Sequence, residues 1–162
     1  MRPEDDSKLP VDGRQSHRAS AISRGTQRAL AVQGFRVIPE LPLADGRRAD
    51  LVAVDDGGAI WIVEIKSSLE DFTSDGKWPD YRAWCDRLYF AVAPDFPLEV
   101  LPPDAGLILA DRYGGEIVRH PPEHRLPGAR RKAVMLRFAR VAAGRLMTLA
   151  DPTAGYEPIP RD

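Results

Sequence analysis

The chain reads as an α/β fold, a mixed β-sheet flanked by helices. Three observations point to it. Apolar residues recur at helical spacing near the start and again over about residues 130–149. Between these stretches lie short apolar runs bounded by turn residues, which read as strands. The order along the chain is helix, three strands, helix, strand, then further strand and helix.

Each element has a local reason. Ser16 caps a first helix over about residues 17–33, with Ala21, Ile22, Ala29, Leu30 and Val32 as its apolar positions and Gly34 as its stop. Gly25 weakens the interior of that helix. Phe35-Arg36-Val37-Ile38 reads as a first strand, closed by Pro39. Two apolar runs, residues 49–54 and 60–66, follow as a hairpin across Asp55-Asp56-Gly57-Gly58. Residues 67–76 are polar and read as a connection. Lys77-Trp78-Pro79 opens a second helix running to about residue 86, with Pro79 tolerated in its first turn. Residues 88–92 and 106–110 have the composition of buried strands. Residues 116–118 form a hairpin with the latter across Tyr113-Gly114-Gly115. The last helix carries Val134, Met135, Phe138, Val141, Ala142 and Leu146. A single domain over 15–150 is expected, with a disordered tail at 1–14 and a frayed, Pro-rich tail at 151–162.

The hairpin places Asp50, Glu64 and Lys66 among apolar neighbours. An unpaired ion loses its hydration on burial, so these charges need compensation. If the loop is Asp56-Gly57-Gly58, with Gly58 left-handed at its end, Val54 faces Ile60 and Val52 faces Ile62. Asp50 then faces Glu64, with Cβ atoms roughly 5 Å apart. A two-residue loop would send the two acids to opposite faces. Two adjacent carboxylates repel, and one should carry a raised pKa unless a cation intervenes. A solvated hairpin with isolated charges is the bland alternative.

Composition bounds the function. The 162 residues suit one domain with a sizeable core. No run is long and apolar enough to span a membrane, and Met1-Arg2-Pro3-Glu4-Asp5-Asp6 lacks the apolar stretch of a signal peptide. The single Cys85 allows neither an internal disulfide nor a Cys-based zinc site and fits a reducing cytoplasm. A net charge of −1 means that any nucleic-acid surface must be a local patch. No Gly-rich phosphate loop and no Ser-His-Asp arrangement occurs. His120 and His124 have helical spacing, but Pro121 and Pro122 between them forbid a helix.

An acid on one strand and Glu-x-Lys at the end of the next, after a helix and a first strand, resembles the PD-(D/E)XK nuclease superfamily. Asp50, Glu64 and Lys66 match its three core positions. A more specific resemblance is carried by Arg47-Arg48-Ala49-Asp50, by Ile60 to Ser68, and by Asp71-Phe72. Lys77-Trp78-Pro79, Cys85-Asp86-Arg87, Phe90-Ala91-Val92, residues 106–111 and Arg130-Arg131-Lys132-Ala133 add to it. Over roughly residues 17–145 the chain is similar to the MmcB-like family of bacterial DNA repair proteins. The resemblance implies a restriction-endonuclease-like fold and a role in the repair of DNA damage, including crosslinks. It implies Mg²⁺ or Mn²⁺ held by Asp50, Glu64 and the Ile65 carbonyl, with Lys66 completing a catalytic set. The partner would be damaged or structured DNA in the cytoplasm, at the nucleoid, together with other repair proteins.

Two departures stand out. Many such nucleases carry a Glu on the first helix, whereas no acid occurs between His17 and Ile38, and Gln27 is the nearest polar candidate. Where relatives carry Gln-x-x-x-Tyr, this chain has Lys77 and Tyr81. Cations for a phosphate backbone are Arg47 and Arg48 beside Asp50, then Arg24 and Arg28, then Arg130, Arg131 and Lys132. The last three could equally be a solvated helix face. Two functions therefore stand side by side: a metal-dependent DNA endonuclease or nickase, and a non-catalytic DNA-damage-binding or adaptor module on the same scaffold.

Overall fold

A computed structural model describes residues 16–159. The tail expected over 1–14 and the end of the C-terminal tail lie outside the described residues; residues 151–159 make only turns. A six-stranded mixed sheet runs β1 (Arg36–Pro42), β2 (Arg48–Val54), β3 (Ile60–Ile65), β4 (Arg87–Val92), β5 (Gly106–Ala110) and β6 (Gly115–Arg119), in spatial as in chain order. β2 runs antiparallel to both of its neighbours, β1 and β3; β3 to β5 are parallel, and β6 returns antiparallel to β5. Helices α1 (His17–Val32), α2 (Leu69–Ser74) and α3 (Gly128–Ala150) complete the fold. Among the described residues no helix is long and apolar enough to cross a membrane.

α1 begins where the Ser16 hydroxyl accepts the Ala19 N–H at 3.1 Å and stops before Gly34, whose φ is +89°. It runs unbroken through Gly25. A Cβ there would lie 1.7 Å from the Asp111 carbonyl oxygen and 2.5 Å from that of Gly114, so only glycine lets α1 touch the β5–β6 turn. Gly25→Ala is therefore expected to destabilise the protein by about 1–2 kcal/mol net. Backbone overpacking of about 1–3 kcal/mol or more outweighs the roughly 1 kcal/mol gain in helix propensity. An unchanged urea midpoint would show that the turn yields freely.

Alternation sorts β3 cleanly. Trp61, Val63 and Ile65 join Ile22 and Leu30 of α1, Phe35, Tyr89 and Ile108 in the core on one face. Ile60 and Ile62 join Val52, Tyr81, Leu88 and Val134 of α3 on the other. A third cluster forms around Phe90 and Phe96, with Phe72 of α2 against it.

Three expectations are corrected. β1 does not end at Pro39 but pairs with β2 as far as Pro42 opposite Arg48; it is an edge strand, where a missing N–H is tolerated. Residues 67–76 are not a mere connection. Ser68 caps α2 by accepting the Asp71 N–H at 3.1 Å, with Glu70 and Asp71 in the first turn. The helix expected over 77–86 is instead a 3-10 helix, Trp78–Trp84, which ends where Cys85 turns extended at φ −143°.

Candidate active site

The hairpin loop has three residues. Asp55 N–H donates to the Ala59 carbonyl at 3.3 Å, and Gly58 closes the turn at φ +85°. The Asp55 carboxylate accepts the N–H groups of Gly57 and Ala59 at 3.0 and 2.8 Å. Val54 pairs with Ile60 and Val52 with Ile62, so two residues further on Asp50 meets Glu64 on one face of the sheet. There side chains replace the strand ladder. Asp50 N–H donates to Glu64 Oε1 at 3.1 Å, and Ile65 N–H donates to Asp50 Oδ2 at 2.8 Å.

The pair sits in a low-dielectric setting, Glu64 being 4% exposed. Burial lifts the pKa of both carboxyls. Glu64 is lifted furthest, because the Asp50 charge adds to its desolvation. For Asp50 the Ile65 N–H and the Lys66 charge offset part of the rise. Each carboxyl therefore holds its proton more tightly than a free one does, and a cation between them would relieve that rise.

Lys66 emerges on the same face, 5% exposed, and its Nζ donates to Asp75 Oδ2 at 2.6 Å. Burial pushes Asp75 up, but the Lys66 and Lys77 hydrogen bonds outweigh this and hold it below the usual carboxylate range. Asp71 adds a further negative charge acting on Asp50, and its Oδ2 accepts both the N–H and the hydroxyl of Ser67. Tyr81 closes the site from the 3-10 helix and donates its hydroxyl to the Arg48 carbonyl at 2.9 Å. Its own burial and the Glu64 and Asp50 charges push the phenol pKa up, so it remains a neutral donor.

Asp71 and Asp75 escaped sequence reasoning as site residues. The signal was there: an acid-rich segment capped by Ser68 directly follows Glu-x-Lys.

Other candidates are dispersed. Gln27 lies on α1, which covers the opposite face of the sheet, and its amide donates to Ser23 at 3.2 Å. Arg24 is exposed on the same helix, and Arg28 reaches the Tyr113 carbonyl at 3.2 Å in the β5–β6 turn. Helix placement thus takes these three away from the carboxylate pair. Lys77 is exposed, and its N–H anchors Asp75 at 2.9 Å. Arg47 is braced by Asp45 at 3.5 Å and by Asp80. Arg48 does begin β2, which gives it the parity of Asp50, and lies 3.7 Å from Glu40. Arg130 stacks over Trp84, 4.5 Å from the ring centroid, and Lys132 is exposed. Arg131 is not a surface cation. Its guanidinium grips Asp86 at 2.7 and 2.6 Å and the Gly58 carbonyl at 2.8 Å. A buried carboxylate demands that partner.

Among the described residues no three His, Cys, Asp or Glu side chains converge as a complete metal cage. Asp50 and Glu64 are two hard oxygen donors brought together on one sheet face, which fits one divalent ion with water completing its shell.

The model for the family described as DNA repair protein MmcB-like matches residues 6–153 of the chain. The chain is also similar to a solved structure, a protein of unknown function from Silicibacter pomeroyi. The two are 41% identical with a TM-score of 0.83, covering 88% of this chain and 97% of that one. No curated protein matches.

Proposed function

The chain belongs to the MmcB-like family of DNA repair proteins, and from that premise we propose that it is a metal-dependent DNA phosphodiesterase, an endonuclease or nickase. The observation that carries the proposal is half-buried Asp50 against buried Glu64, with buried Lys66 beside them on one sheet face. The order α1-β1-β2-β3-α2-β4, with the acid on β2 and Glu-x-Lys at the end of β3, supports a PD-(D/E)XK assignment.

In this reading Asp50, Glu64 and the Ile65 carbonyl hold Mg²⁺ or Mn²⁺. An ion held by these groups would supply Lewis-acid polarisation of the scissile phosphate and a lowered pKa for an attacking water. Lys66 orients that water or stabilises the charge that develops on phosphate. Burial of the site excludes bulk water and strengthens each of these interactions. Tyr81 keeps the start of β2 in place through the Arg48 carbonyl.

The test is cleavage of a panel of DNA forms (single strand, duplex, flap, crosslinked and abasic) with and without Mn²⁺. Mn²⁺-dependent cutting of any of them is expected. A second reading, a DNA-damage-binding or adaptor module, is favoured by the absence of an acid on α1. Tight DNA binding with no Mn²⁺ heat in calorimetry would select it.

DNA crossing this site needs cations beside it, since phosphates dominate affinity. Arg48 has the parity of Asp50, whereas Arg47 is held between two acids. Arg48→Ala should weaken DNA binding more than Arg47→Ala and lower the salt slope by about one. Binding isotherms over a salt series check this. Equal affinity and slope for both variants and the parent would remove the arginine pair from the DNA surface. Lys132 and Arg130 would then be the remaining candidates.

A further inference from the structure

Lys66 is two residues beyond Glu64, on the same face, and almost wholly buried. A buried ammonium requires a counter-ion. The Asp50–Glu64 pair is within reach of its charge and would serve. Yet the ammonium donates to a different acid, Asp75, at 2.6 Å. Asp75 follows α2 directly, and its other oxygen accepts the Lys77 N–H at 2.9 Å. The carboxylate is thus fixed at both oxygens, one by the backbone leading into the 3-10 helix and one by Lys66. At the root of Lys66, its N–H donates to the Ala91 carbonyl at 3.0 Å, so the backbone end of the side chain is fixed too.

An ammonium seated on Asp50 and Glu64 would occupy the place of a divalent cation. We propose that Asp75 is a positioning residue that holds the Lys66 ammonium off the Asp50–Glu64 pair, keeping the pair open to a metal ion while Lys66 stays beside it. This rests on the metal-site reading above. It predicts a competition inside the protein: without Asp75, Lys66 turns to the Asp50–Glu64 pair and becomes the metal's rival.

Mn²⁺ binding by titration calorimetry reads this without DNA. Asp75→Asn retains an acceptor for the Lys77 N–H but not the charge. It should weaken Mn²⁺ binding at least about tenfold, the low end for close charge pairs. Adding Lys66→Met to Asp75→Asn should restore binding to within about threefold of the parent, because the rival is gone. Asp75→Glu should behave as the parent, and Asp75→Ser should repeat the Asp75→Asn result if the latter folds poorly by thermal melt. A purely structural ion pair would lower the melting temperature of Asp75→Asn but leave Mn²⁺ affinity unchanged in the fraction that stays folded. Parent-like Mn²⁺ binding in Asp75→Asn and Asp75→Ser, a double variant as weak as the single one, or no Mn²⁺ binding by the parent would each overturn the proposal. Cleavage assayed on the same samples separates the two readings. The expected calorimetric pattern without any cutting would sink the phosphodiesterase and leave the role of Asp75 standing.

Discussion

Asp50→Asn is expected to cut Mn²⁺-dependent DNA cleavage by at least about 10²–10³, and Lys66→Ala by about the same, the usual cost of one preorganised electrostatic group. Asparagine at position 50 keeps an oxygen that can accept the Ile65 N–H, so the hairpin should persist and the loss should be chemical. Stability should move the other way. Both carboxyls have folded-state pKa values above their unfolded ones, so they favour folding at low pH and disfavour it as pH rises through the raised values. At neutral pH, metal-free Asp50→Asn should therefore melt higher than the parent. Mn²⁺ should raise the melting temperature of the parent but not of the variant. Mn²⁺ competes with protons for carboxylates whose pKa values are raised, so its binding should strengthen over the same rise in pH. Full cleavage activity in both variants would dismiss this pair as the site. Cleavage loss with a lowered melting temperature would instead mean that Asp50 acts through the fold.

Asp86→Ala is expected to cost about 3–5 kcal/mol of stability, the range for breaking one partner of a buried ion pair. Asp86 is 4% exposed and accepts the Ile60 and Leu126 N–H groups, both at 2.8 Å, besides the two-pronged Arg131. Alanine leaves two buried N–H groups and a guanidinium without an acceptor at the point where β3, β4 and α3 converge. Asp86→Asn should be milder, retaining one acceptor oxygen. Burial pushes the Asp86 carboxyl up, but the Arg131, Ile60 and Leu126 hydrogen bonds outweigh it and hold it low. Its contribution is thus full above the unfolded pKa of about 3.9 and disappears as pH falls through the lower folded value. Urea denaturation at neutral pH and in acid measures both effects. A loss below about 1 kcal/mol at neutral pH would show that water can replace the carboxylate at this junction.

Much of the candidate site was legible because its geometry is local. Three loop residues and one left-handed glycine set the parity of the hairpin, and parity alone brought Asp50 to Glu64. The caps of α1, Ser16 and Gly34, act within a few residues and were equally readable. Gly25 was harder. Its propensity argued against a continuous helix, but propensity is worth about 1 kcal/mol, less than the packing of α1 against the Asp111 turn. The segment after Lys66 misled because a six-residue helix leaves almost no periodicity to read, and its Ser68–Asp71 cap was the one clue.

The α/β order, the hairpin register and the meeting of two acids on one sheet face could all be read along the chain, since alternation and turn geometry depend only on neighbouring residues. Where the cations go depends on contacts made only in the folded chain. Lys66 turned to Asp75, Arg131 to Asp86 at a separation of 45 residues, and Arg28 to the Tyr113 carbonyl on the far face. A cation drawn out of water takes whichever acceptor folding brings close, and that distance is set by packing, to which spacing along the chain is blind.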